Sequence, residues 1–191
     1  MSADPGHVLL QILAWGALPA WILAGFIDWL CHRRTRIELH SGAPESAMHV
    51  VLYVLTAVPV SIGLYFEINA LTLLCMGVGV AGHTVVAWID TTYTQPRRYI
   101  GALEQAIHAW LEMLPLFAWV IVAALYVDAW ESPEWAWHLR TAPLAPAVRY
   151  GIPLVLLPGL VLTLEELWRC RRSALIASAA RAATSPSPGA P

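Results

Sequence analysis

Long apolar stretches separated by short polar segments dominate the chain. Five of them are long enough for a helix to cross a bilayer, which takes roughly 20 residues. The predicted spans cover residues 8–30, 46–66, 68–91, 102–127 and 150–168. The pattern therefore predicts an all-α, polytopic membrane helix bundle, formed by one domain over residues 1–172.

The composition agrees with a surface that faces lipid. Hydrophobic residues make up 58% of the chain and charged residues 13%, whereas soluble domains carry about 25% charged residues. No basic stripe with interleaved aromatic residues is present, so the predicted surroundings are a lipid bilayer and not a nucleic acid. The remaining segment, 173–191, is rich in Ala, Ser and Pro and is predicted to be a cytoplasmic tail whose C-terminal part is disordered.

The arginines predict the orientation in the membrane. Nine of the 11 follow the first, third and fifth spans, and only Arg140 and Arg149 belong to the other side. Positive residues favour the cytoplasmic side of short loops. We therefore expect an integral protein of the bacterial inner membrane with its N-terminus outside and its C-terminus in the cytoplasm. The leader before the first span has no positive charge, so a cleaved signal peptide is not expected.

Four of the spans carry an acid and a histidine that return to the same helix face. Ionisable side chains inside a membrane are costly and usually serve a function. The four pairs have spacings of four or seven residues. They are Asp28 and His32, Glu45 and His49, His83 and Asp90, and Glu104 and His108. Because the spans alternate in direction, all eight side chains are expected in the cytoplasmic part of the bundle, on two levels about one turn apart.

Four carboxylates and four imidazoles that face one another suit a dinuclear metal site. Carboxylates bridge and neutralise metal ions, and neutral imidazoles act as terminal ligands. The first four spans are thus predicted to form a metal-binding four-helix bundle, with Glu45 and Glu104 as the bridging and catalytic candidates. Singly, Asp28 or Glu45 could cap a helix, and Asp90 or Glu104 could pair with the arginines after the third span. The prediction depends on the whole constellation.

Several neighbouring polar residues have open roles. Glu112 follows His108 by one turn and is interpreted as an acceptor that holds an imidazole, with a deep ligand or a proton relay as alternatives. His40 is an outer candidate. Glu67 belongs to the opposite side of the membrane and is excluded from the site.

Charged residues beside the site are interpreted as structural. The pair Arg97 and Arg98 is read as positive-inside charge, with attraction of an anionic headgroup as the alternative. Near the end of the fifth span, Glu165 and Glu166 are predicted to pair with Arg169 and its neighbours.

The acid–histidine motif occurs twice in nearly the same form, as Glu45-Ser-Ala-Met-His49 and Glu104-Gln-Ala-Ile-His108. It resembles the carboxylate–histidine helices of membrane di-iron four-helix proteins of the alternative-oxidase and hydroxylase class. That class uses Glu-x-x-His and fewer histidines, and the His boxes of membrane desaturases are absent from this chain. The resemblance is one of motif style, so we expect a separate small family.

The mixed oxygen and nitrogen ligand set favours iron, with manganese or zinc as alternatives, over a metal that prefers thiolates. The leading hypothesis is a di-iron oxidoreductase that activates oxygen or peroxide against a lipid or another hydrophobic substrate. A zinc-dependent membrane hydrolase with Glu104 as its base is one alternative. A b-type cytochrome with axial ligands among His49, His83 and His108 is another. A non-enzymatic transporter, sensor or accessory protein is the third.

Overall fold

The computed structural model describes residues 5–142 and 144–184, and helices make up most of these ranges. Within them the structure has no strand, only an isolated bridge between Phe66 and Leu139. The α-helices in chain order are α1 Pro5–Ile12, α2 Leu18–Thr35, α3 Gly42–Tyr65, α4 Ala70–Thr94, α5 Ala102–Leu125, α6 Asp128–Glu131 and α7 Pro146–Thr184.

Five helical segments are long and apolar enough to cross a bilayer. They are Pro5–Thr35, Gly42–Tyr65, Ala70–Thr94, Ala102–Leu125 and Pro146–Thr184. The first consists of α1, a π-helical turn at Leu13–Ala17, and α2. Large apolar side chains project outward from these segments, such as Val78, Trp88 and Leu154, which are 65%, 68% and 70% exposed. The predicted all-α fold with five apolar helices is confirmed, and it is consistent with an integral membrane protein.

The five long segments form a closed ring. Going round it, α2 packs on α5, α5 on α4, α4 on α3, α3 on α7, and α7 again on α2. A bundle of the first four spans alone is therefore not confirmed, because α7 lies between α2 and α3. The three buried residues of α7 are Leu156, Glu166 and Cys170, so this helix brings a carboxylate into the interior.

The α3–α4 and α4–α5 interfaces are close because glycines leave room for bulky neighbours. A Cβ atom on Gly79 would lie 2.7 Å from the Cγ atom of Pro59, and one on Gly77 would lie 2.9 Å from the Trp119 ring. The Trp119 indole donates a hydrogen bond of 3.0 Å to the carbonyl of Leu73. These contacts fix α4 in the ring and so place the side chains near its C-terminal end.

The end of the bundle where α3 connects to α4 is closed by the segment after α6. Asn69 caps α4, and the backbone of His138 and Arg140 bonds to Glu67 and Tyr65 on the α3–α4 turn. The Glu67 carboxylate accepts hydrogen bonds from the backbone and side chain of Thr141, at 2.7 and 3.0 Å. These bonds lower the pKa of Glu67 below its usual value. Glu67 thus has a structural role far from the acid–histidine pairs.

The last helix is longer than the apolar pattern indicates. Predicted to end at residue 168, it continues to Thr184, so residues 173–184 extend α7 instead of forming a separate tail. This extension is rich in Ala, which favours helix without requiring burial. Residues 185–191, predicted to be disordered, lie outside the described residues.

Candidate metal centre

Seven of the eight predicted site residues converge at the end of the bundle where α2 ends and α3 begins, which we call the site end. They form two groups. The first group comprises Asp28, His32, Glu104 and His108. The second group comprises Glu45, His49 and Asp90.

The first group has the spacing of a coordination sphere. The Oδ1 atom of Asp28 lies 3.4 Å from Nε2 of His32 and 3.0 Å from Nε2 of His108. An oxygen of Glu104 lies 3.2 Å from the same His32 nitrogen, and one ligand atom from each of the four residues falls within 4.8 Å of all the others. Ligands bound at about 2.0–2.1 Å from one ion are separated by roughly 3 Å. The four ligand atoms are therefore close enough together to hold one cation.

Two atoms at the centre of the first group have no hydrogen-bond partner among the described residues. They are Nε2 of His32 and Oδ1 of Asp28, and both are buried. Their separation is short, but the angles do not suit a hydrogen bond. Leaving a buried polar atom unpaired costs about 1–3 kcal/mol. A cation bound between the two atoms would remove this cost.

The second group lies on α3 and α4. Nε2 of His49 is 3.4 Å from Oδ2 of Asp90 and 4.0 Å from Oε1 of Glu45. The other oxygen of Asp90 is buried and has no hydrogen-bond partner in the described part of the chain. The group is looser than the first one, but it offers the same mixture of carboxylate oxygen and imidazole nitrogen.

Glu166 on α7 connects the two groups. Its oxygens lie 2.9 Å from Nδ1 of His32 and 2.6 Å from Nδ1 of His49, and the two imidazole rings stack 4.6 Å apart. When a carboxylate accepts the Nδ1–H of a histidine, Nε2 keeps its lone pair for a metal ion. Glu166 therefore turns both Nε2 atoms toward the two groups.

The sequence interpretation of Glu166 as a partner of Arg169 is wrong. Its neighbour Glu165 makes that contact, at 3.5 Å, and also binds the Trp29 indole at 3.0 Å and Arg33 at 2.9 Å. Glu166 is the next residue, and each residue of an α-helix is rotated by about 100° from the one before it. Its side chain therefore points into the interior, and only 2% of Glu166 is exposed. The position of Glu166 among the apolar residues of the fifth span was the sequence feature that could have indicated an inward side chain.

Arg98 is a buried member of the site and not merely a positive-inside charge. It lies between α4 and α5, is 8% exposed, and donates hydrogen bonds to Glu45 at 2.6 Å and to Glu104. Burial alone would lower the pKa of Arg98, but the bonds to the two carboxylates outweigh it and raise the pKa. The two residues predicted to bridge metals are thus joined by a guanidinium group, and Glu45 also accepts from Ser41.

Replacing Arg98 with glutamine is expected to destabilise the fold by about 3–5 kcal/mol, because it leaves two buried carboxylates facing each other. The thermal midpoint in detergent should fall by roughly 6–20 °C. Arg97 is the matched control, since it is exposed and stacks on the ring of Tyr93. Arg97→Gln should change stability by less than about 0.5 kcal/mol. Equal losses in the two variants would show that the buried contacts of Arg98 do not stabilise the protein.

His83 does not join either group. It lies seven residues from Asp90 on α4, which corresponds to about 10 Å along the helix. The ring is buried, and it has no hydrogen bond or ion pair with another described residue. Glu112 likewise has neither kind of contact within the described ranges, so the structure does not show the predicted hydrogen bond to a site histidine. His40 is exposed on the α2–α3 connection, outside both groups.

A cavity of about 310 Å³ extends from the two groups into the apolar part of the bundle. Its far end is lined by Trp21, Tyr53 and Leu156, and its α4 and α5 walls include His83 and Glu112. The cavity is about twice the size of an engineered apolar cavity that binds benzene. It has space for about a dozen carbon atoms.

Comparisons of the chain with protein-family models, with curated proteins and with solved structures find no match. The two groups and the cavity are therefore interpreted from their own chemistry.

Proposed function

We propose that this protein is an integral membrane protein that binds two metal ions, one in each group. The convergence of acids and histidines from four helices, with Glu166 on both Nδ1 atoms of the stacked pair, is the observation that carries this proposal. A carboxylate that holds the outer nitrogen of a histidine is the usual support of a metal-bound imidazole.

The charge of the site supports two divalent cations. Among the described residues, five carboxylates meet one arginine there, Arg98, which leaves four negative charges to compensate if the histidines are neutral. These carboxylates are Asp28, Glu45, Asp90, Glu104 and Glu166. Uncompensated charge is expensive away from water. Protonated histidines would also supply positive charge, since Nε2 of His32 lies 3.2 Å from an oxygen of Glu104 and 3.4 Å from Asp28. Metal content distinguishes the two forms of compensation.

Iron is the metal that we propose, with manganese or zinc as alternatives. Both groups offer only carboxylate oxygen and imidazole nitrogen, which suits these metals better than one that prefers thiolates. Asp28 and Glu104 would bind the ion of the first group, and Asp90 and Glu45 that of the second. Because Arg98 already binds Glu45 and Glu104, it would set how far each can turn toward an ion.

We propose an oxidoreductase that acts on a hydrophobic or lipid substrate. The apolar cavity beside the groups supports this, and two of its lining residues, Phe26 on α2 and Pro158 on α7, are exposed. A substrate dissolved in the bilayer can therefore approach the site from the side. Bound iron would supply the oxygen or peroxide chemistry, while the protein positions the substrate and excludes water.

The distribution of arginines supports a site end that lies at the cytoplasmic face. Arg33 and Arg34 follow the site residues of α2, and Arg97 lies between α4 and α5. A reductant or proton donor would then reach the site from the cytoplasm.

The reaction class is tested with protein purified in detergent, through its absorption spectrum and its oxygen uptake after anaerobic reduction. The proposal expects weak near-ultraviolet bands, no Soret peak, and oxygen uptake that is lost in His32→Ala. His138→Ala is the control, because His138 makes the same kind of contact with Glu134, at 2.9 Å, on the exposed loop at the other end. Bound zinc without oxygen uptake would support the hydrolase instead, and a Soret peak would support a cytochrome.

A further inference from the structure

An imidazole and a carboxyl group in the cavity lining have no role in the two proposed metal groups. His83 on α4 and Glu112 on α5 both line the cavity. His83 lies about 10 Å from Asp90 along α4, and Glu112 lies about 6 Å from His108 along α5, both on the side away from the site end. Neither makes a hydrogen bond or ion pair with another residue in the described part of the chain, although their helices pack on each other.

A buried imidazole and a carboxyl group in an apolar cavity are costly unless something pairs with them. Most side chains of the opposite walls are apolar, such as Ile22, Leu52 and Leu162. The indole N–H of Trp21 also lines the cavity, but it makes no hydrogen bond with a described residue. The Tyr53 hydroxyl is already used in a hydrogen bond of 2.6 Å to the carbonyl of Leu156. The natural partner is thus a ligand that enters the cavity.

We propose that His83 and Glu112 are positioning residues that hold the hydroxyl group of a hydrophobic alcohol or phenol. A hydroxyl both donates and accepts, so it can donate to the Glu112 carboxylate while it accepts from the His83 ring. This inference rests on the proposed function, because it makes the cavity the substrate site of the metal centre. If this inference holds, His83 is not a metal ligand, although the sequence predicted it to be one.

The size of the cavity limits the rest of the molecule. The lining residues of α2 extend from Trp21 to His32 and those of α7 from Leu156 to Glu166, which is about 15 Å of depth. About a dozen carbon atoms distributed over that depth describe an extended chain or one ring with a chain. With its hydroxyl held at His83 and Glu112, such a molecule places carbon atoms several bonds away against the two groups.

A charged polar end fits less well. A carboxylate would face the carboxyl group of Glu112, and among the cavity lining no arginine is present to compensate it. An alkane of the same length would fill the space but would leave both polar groups unpaired. The proposed site therefore discriminates by the hydroxyl group, which is how buried polar groups usually reject an analogue that lacks one.

The test compares binding of 1-dodecanol, dodecane and dodecanoate to the detergent-purified protein, measured as ligand retained per chain by gas chromatography. Dodecanol is expected to bind about tenfold more tightly than dodecane, from one or two added hydrogen bonds, and more tightly than dodecanoate. The preference over dodecane should fall to about threefold or less in His83→Leu and in Glu112→Leu. Glu112→Gln should retain most of it, because an amide still forms hydrogen bonds.

Metal content is measured in the same variants, so that failure of this inference and failure of the proposed function remain distinct. Both leucine variants should keep the metal content of the unmodified protein. Loss of metal from His83→Leu would make His83 a ligand and overturn the inference, as would an unchanged preference for dodecanol in both leucine variants. A preference that depends on His83 and Glu112 in a protein that binds no metal would support the hydroxyl site and contradict the metal centre.

Discussion

Replacing Asp28 with asparagine is expected to lower the bound metal from about two ions per chain to about one. Its Oδ1 atom is the common contact of His32 and His108 in the first group, and an amide is a neutral and weaker ligand. Asp90→Asn should remove the ion of the second group for the same reason, since Asp90 is the nearest carboxylate to Nε2 of His49. The double variant should bind almost none.

Metal per chain is measured by mass spectrometry after the variants are purified side by side. Asp128→Asn is the matched control, because Asp128 is an exposed carboxylate at the start of α6. It should retain the full amount. If Asp28→Asn and Asp90→Asn also keep it, the two groups do not hold the ions. If either single variant loses all metal, the ions bind as one coupled unit and not in two separable groups.

Replacing Glu166 with glutamine is expected to weaken metal binding about 100-fold or more, because loss of one such supporting carboxylate costs about 10–100-fold and Glu166 supports two histidines. Each carboxylate oxygen faces one histidine, and in glutamine one of the two positions becomes an NH2 donor, so one of the two rings loses its acceptor. One ring would lose the hydrogen bond that directs its Nε2 atom toward the metal groups.

The adjacent glutamate gives the control for this change. Glu165→Gln removes the same charge one residue away, where the carboxylate contacts Trp29, Arg33 and Arg169 and no histidine. Competition with a chelator such as EDTA measures the affinity of each variant. Near-normal affinity in Glu165→Gln with a large loss in Glu166→Gln is the expected result. Similar losses of metal affinity in both variants would show that Glu166 contributes only its negative charge at the site end.

The fold could be predicted from the sequence as far as the helices themselves. Apolar stretches of the required length identified all five long helices, since a lipid environment leaves few other options for the backbone. The acid–histidine faces indicated that the first four spans converge, but they did not indicate which helices are neighbours or where the fifth span packs. For that reason the position of α7 between α2 and α3, and with it the inward position of Glu166, required the structure.

The candidate site shows which sequence arguments hold and which do not. Spacings of four residues placed Asp28 beside His32, because such residues lie one turn apart on one face. The spacing of seven between His83 and Asp90 also returns to one face, but it covers two turns, or about 10 Å. Two residues can therefore share a helix face and still lie at different depths in the bundle. The buried position of Arg98 in the site was not predicted, because membrane topology already explained a positive charge after a span.

The most direct test of the central claim is the metal content of the unmodified protein, purified in detergent from cells supplied with iron, manganese and zinc. Inductively coupled plasma mass spectrometry, normalised to protein by amino-acid analysis, gives ions per chain. The account predicts about two ions per chain, mostly iron, because the two groups together offer enough oxygen and nitrogen ligands for two ions. A protein that binds oxygen and nitrogen metals at less than about one ion in ten chains under all three supplements would contradict it.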